Sequence, residues 1–108
     1  MPSLEERVSD ALGELQQSGL VEKRMFGGVG YLVHGNMACG VHRGTLIVRV
    51  GPDAYERALA RPHANVFDIT GRPMKGWVTV GPEGCSTDEA LRQWVQEGIA
   101  FALSLPAK

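Results

Sequence analysis

The chain has 108 residues, 44% of them apolar and 21% charged, with a formal charge of −1. That length makes one domain, which buries roughly two thirds of its unfolded surface and needs no disulfide or metal for stability. The charge gives no general attraction to phosphate backbones, which argues against a dedicated nucleic-acid domain but leaves room for a local patch.

Met1-Pro2-Ser3-Leu4-Glu5-Glu6-Arg7 lacks the basic head and apolar stretch of a signal peptide. No apolar run nears the roughly 20 residues of a membrane span. Cys39 and Cys85 are expected to be free thiols, and the expected location is the cytoplasm. Ser3 and Glu6 have capping-box spacing, and Leu4, Val8, Ala11, Leu12 and Leu15 form the stripe of a first helix, ended by Gly19. Apolar-rich runs at about 20–26, 29–34, 37–42 and 45–50 are separated by Gly27-Gly28, Gly35-Asn36 and Arg43-Gly44. They predict an antiparallel meander. A second helix is predicted from Pro52 to about Ala60, broken by Arg61-Pro62. Strands are predicted at 64–69 and 77–80, with a loop over 70–76 between them. Ser86 and Glu89 suggest a second capping box, opening a last helix marked by Leu91, Trp94, Val95, Gly98, Phe101, Ala102 and Leu105 and ended before Pro106.

The order α-β-β-β-β-α-β-β-α predicts an α+β fold over residues 1–108: a two-layer α/β sandwich, an antiparallel sheet with helices on one face. A two-residue turn at Gly35-Asn36 pairs His34 with Met37, Leu32 with Cys39 and Gly30 with Val41. A turn at Arg43-Gly44 pairs Val41 with Leu46 and Cys39 with Val48, although Arg43 is a poor residue for positive φ. Leu32, Met37, Cys39, Val41, Leu46, Val48 and Val50 then form the core face. Tyr31, Val33, Ala38, Gly40, His42, Thr45, Ile47 and Arg49 form the open one.

No reactive constellation stands out. His42 projects from the opposite face to Cys39, and His34 shares the face of Cys39 only as a diagonal neighbour about 7–8 Å away. Cys39 reads as a packing residue, and Cys85, between Gly84 and Ser86, as an exposed thiol. Gly27-Gly28-Val29-Gly30 lacks a P-loop ending and reads as a bulge or turn needing positive φ. Asp53, Glu56, Asp68, Glu83, Asp88 and Glu89 fit helix starts and loops, with no acid–base pair among them. No catalytic residue, metal ligand or cofactor site is assigned. Lys23, Arg24, Arg43, Arg49, Arg72 and Lys75 read as scattered solvated charges. Tyr31, Val33, His42, Ile47, Arg49 and Trp77 are the expected partner-binding residues of the open face, in a homodimer or against one protein partner. The alternative is that a helix or the C-terminal tail covers this face.

Lys23-Arg24-Met25-Phe26-Gly27-Gly28-Val29-Gly30-Tyr31, then Gly35-Asn36-Met37-Ala38 and Leu46-Ile47-Val48-Arg49-Val50, resemble the TfoX N-terminal domain family (TfoX/Sxy). Pro73-Met74-Lys75-Gly76-Trp77-Val78 and the last helix with Trp94 extend the resemblance over about residues 3–105. It implies the same two-layer fold and kinship with bacterial regulators of natural competence, thought to act with the cAMP receptor protein at promoters. It brings no catalytic residues. Those regulators carry a second, C-terminal helical domain, whereas this sequence ends at Lys108, so a stand-alone version is expected, for which competence regulation does not follow from the fold. A non-catalytic regulatory or protein-interaction module is the leading expectation. One alternative is a small enzyme or ligand-binding protein using Cys85, His42 or Arg49. Another is a nucleic-acid binder using Arg72 and Lys75.

Overall fold

The computed structural model describes residues 3–15, 19–25, 28–68 and 74–106. Phe26, Gly27 and the stretch 69–73, with Arg72, lie outside them. Helix α1 (Leu4–Leu15) leads into a meander of β1 (Leu20–Met25), β2 (Gly28–Val33), β3 (Asn36–His42) and β4 (Thr45–Arg49). A short α2 (Tyr55–Leu59), strands β5 (Ala64–Val66) and β6 (Trp77–Val80), a 3₁₀ turn (Pro82–Cys85) and α3 (Asp88–Leu103) complete it. The strands form one antiparallel sheet in the order β1-β2-β3-β4-β6-β5. The predicted α+β class and element order hold.

Local chemistry sets the helix starts. The Ser3 hydroxyl accepts from the Glu6 amide at 3.2 Å, the predicted cap of α1. At α3 the cap is Thr87, which accepts from Ala90 N–H at 3.1 Å. Ser86 instead donates to the Glu83 carbonyl at 3.3 Å. Pro52–Ala54 form a turn before α2, so this helix is shorter than predicted. The described part of β5 is also shorter, ending at Val66.

Both hairpin turns place two successive residues at positive φ. Arg43 and Gly44 (51° and 75°) turn as predicted, pairing Val41 with Leu46 and Cys39 with Val48. In the other hairpin the turn residues are His34 and Gly35 (50° and 84°), not Gly35 and Asn36. Val33 therefore pairs with Asn36 and Leu32 with Met37. A bulge then adds Ala38 to β3, so Tyr31 faces Cys39 and Val29 faces Val41. This is one residue away from the predicted register, and one residue reverses every side chain of β2.

The core follows. Val29, Tyr31 and Val33 lie with Cys39, Val41, Leu46 and Val48 under α1 and α3, all buried. Leu32 and Met37, predicted core residues, take the opposite face and are only half-buried. From the helices come Val8, Leu12, Leu91, Trp94 and Val95, each side chain stabilising the fold by about 1.5–3 kcal/mol on burial. Arg61 stacks its guanidinium 3.5 Å from the Trp94 ring centroid and pairs with Glu97, tying the end of α2 to α3.

Candidate functional site

Helices α1 and α3 cover one side of the sheet, and among the described residues no helix covers the other. Alternation along the strands puts Leu32 of β2, Met37, Gly40 and His42 of β3, Ile47 and Arg49 of β4, and Trp77 and Thr79 of β6 on that uncovered side. On the edge strand β1 it adds Lys23 and Val21, which is 57% exposed.

Rings and one cation link this face to α3 at the end of β4. Phe67 and Trp77 stand 5.9 Å apart at 41°. The Arg49 guanidinium lies 5.2 Å from the Trp77 centroid and 5.2 Å from that of Phe101 on α3. Gly51 makes the second contact possible: its φ is 87°, and a Cβ there would collide with the Phe101 ring. Ile47, Phe67, Thr45, Thr79, His42, Arg43 and Asp68 line an open concavity of about 390 Å³. Towards β1 the Met37 side chain lies over Gly40, where a Cβ would stand 2.8 Å from its Cε.

Of the six residues predicted for this face, His42, Ile47, Arg49 and Trp77 are on it. His42, Arg49 and Trp77 are half-buried, while Ile47 is the floor of the concavity and only 6% exposed. Tyr31 and Val33 are not on it. The bulge at Ala38 turns both into the core, where the Tyr31 hydroxyl donates to the Glu5 carbonyl at 3.1 Å. Burial, reinforced by the nearby Glu22 carboxylate, raises the Tyr31 pKa. Leu32, Met37 and Phe67 replace them, and no local signal distinguished Leu32 from Val33 or Met37 from Ala38, because each pair is apolar.

The remaining candidates for chemistry resolve individually. Cys39 is fully buried, as expected, and burial pushes its thiol up to about 12. Cys85 is also fully buried, against the expectation of an exposed thiol, because the 3₁₀ turn folds it inward. Burial raises its pKa although the Arg7 charge opposes this. Thiolates are the reactive form, so neither cysteine is an activated nucleophile. His34 packs its ring against Gly19 in the turn rather than sharing a face with Cys39. Gly28 and Gly30 are strand residues without positive φ. Gly28 is needed for space, since a Cβ would strike the Val41 carbonyl. Among the described residues no three His, Cys, Asp or Glu side chains gather in a metal-binding group, and no helix is long and apolar enough to cross a membrane.

Charge is divided between the two sides. Lys23, Arg43 and Arg49 lie on or at the rim of the open face, with Lys75 exposed in the turn leading to Trp77. Asp68 shares the concavity with Arg43. The other carboxylates belong to the helices, their turns and the opposite side of β1, and three of them hold arginines of that layer. Arg92 pairs with Glu14 at 2.7 Å, Arg7 with Asp88 at 3.5 Å, and Arg61 with Glu97. Among the described residues none of Lys23, Arg43, Arg49 and Lys75 is in an ion pair.

No curated protein matches this chain. The family model of the TfoX N-terminal domain matches residues 10–102, a span that takes in the whole sheet, the second half of α1, α2 and nearly all of α3. This chain belongs to the TfoX N-terminal domain family.

Proposed function

We propose that the domain is a non-catalytic regulatory module of the bacterial cytoplasm that works by binding another protein through the open face of its sheet. The observation that carries this reading is the composition of that face. A sheet side that only meets water is expected to alternate polar residues with the core set. Here Leu32, Met37, Ile47, Phe67 and Trp77 stand on it. Aromatic, methionine and arginine side chains are the types enriched at interface centres. The burial of both thiols supports a role without covalent chemistry. Membership of the TfoX N-terminal domain family supports a link to transcription, with a transcription factor such as the cAMP receptor protein as the kind of partner.

The test is site-specific photo-crosslinking in source cells. Benzoylphenylalanine replaces Leu32 or Met37 on the open face, and Gln93 or Gln96 on the outer side of α3 as controls. One protein captured from both sheet positions and from neither helix position is the expected result. Capture only from α3, or none from the sheet, overturns the reading.

A further inference from the structure

We infer that the segment received by the open face is acidic and carries apolar side chains: a carboxylate-rich stretch of a partner protein. The inference rests on the reading of that face as the interaction surface and adds the chemistry of what fills it.

A formal charge of −1 suggests a nearly neutral surface. In the fold, the helical side keeps the other carboxylates and pairs three of them with Arg7, Arg61 and Arg92, while Lys23, Arg43, Arg49 and Lys75 lie on or around the open face, where Asp68 shares the concavity with Arg43. Charges left without counter-ions at the rim of an apolar surface favour a partner of opposite sign and speed its encounter.

Self-association fits poorly. A two-fold pair of open faces gathers Lys23, Arg43 and Arg49 of both copies into one interface to which each copy brings the Asp68 carboxylate, and that excess of like charge opposes it. Placing the acidic helical side of one copy on the open face of the next matches charge, and that heterologous contact builds rings or open chains of copies, which light scattering detects. A nucleic acid would match the cations. It would leave Val21, Leu32, Met37 and Ile47 facing sugars and phosphates, and one side of the Trp77 ring is already taken by Arg49. Apolar side chains spaced among carboxylates satisfy both features of the surface.

The experiment is an NMR titration of the ¹⁵N-labelled chain with three probes. They are a synthetic peptide alternating aspartate with leucine and phenylalanine, its lysine counterpart, and a single-stranded thymidine oligonucleotide. The acidic peptide is expected to shift amides of β2, β3, β4 and β6, and to weaken at about 0.3 M NaCl, where exposed charges are screened. Lys23→Glu with Lys75→Glu should weaken it about tenfold while circular dichroism stays native. Equal binding of the lysine peptide at the same face, or tighter binding of the oligonucleotide, overturns the acidic partner but keeps the surface. Shifts confined to α1 and α3, or no binding of the acidic peptide, overturn the inference. Such shifts remove the surface as well. Light scattering that grows with concentration into rings or open-ended species makes the occupant a second copy, which also overturns it.

Discussion

Gly98 of α3 sits directly on the carbonyl of Ala38, the bulged residue of β3, so closely that a Cβ on Gly98 would collide with that oxygen. Both sides of the contact are backbone, and neither has a rotamer by which to move away. Gly98→Ala is therefore expected to destabilise the protein by about 1–3 kcal/mol, as overpacking does. The better helix propensity of alanine, about 1 kcal/mol, only partly offsets this. Urea unfolding measures the balance, and a gain in stability would show that α3 is not seated on the bulge.

The same bulge decides which residues of the first hairpin tolerate charge. Val33→Asp places a carboxylate at a fully buried position and is expected to cost more than about 4 kcal/mol. Leu32→Asp and Met37→Glu, on the open face, should stay within about 1 kcal/mol of the parent. Ile47→Glu falls between them, since the floor of the concavity is nearly closed. Thermal melts of the four variants test the register, and a reversed order for Leu32 and Val33 would refute it.

Neither thiol should react with a disulfide reagent in the native protein, and both should react at once in denaturant. The folded state keeps Cys39 and Cys85 neutral, with pKa values raised above their ordinary 9.0. The unfolded chain ionises first, so this contribution is intact below pH about 9 and is lost as pH rises towards about 12, where native Cys39 itself ionises. Cys39 adds a slope of up to about 1.4 kcal/mol per pH unit in that window. Cys39→Ala should flatten the fall in melting temperature between pH 9 and pH 11, and an unchanged slope would count against its burial.

Asn36 is buried and donates from Nδ2 to the Pro106 carbonyl at 2.9 Å, fastening the segment after α3 to the start of β3. Asn36→Ala should cost about 1–2 kcal/mol and leave that carbonyl without its partner. Carboxypeptidase digestion should then pass Leu105 faster than in the parent. Equal digestion rates would show that the bond does not hold the tail.

The sequence by itself determined the elements and their order. Ser3 capped α1, glycine-containing turns separated the strands, and alternation from Cys39 to Val50 placed one full hairpin in register. These are local effects of caps, turn residues and period. Tertiary structure decided what those rules leave degenerate. On both sides of the His34-Gly35 turn the chain is apolar at consecutive positions, Leu32-Val33 and Met37-Ala38, so either register buries carbon. Packing of Gly98 against Ala38 accompanies a bulge that the alternation did not signal, and the bulge sends Tyr31 and Val33 inward and Leu32 and Met37 outward. Likewise, the small neighbours of Cys85 predict an exposed thiol, and the 3₁₀ turn instead folds it into the common core. The separation of cations from carboxylates also belongs to the fold, because residues far apart in sequence acquire a common side only when the sheet pairs them.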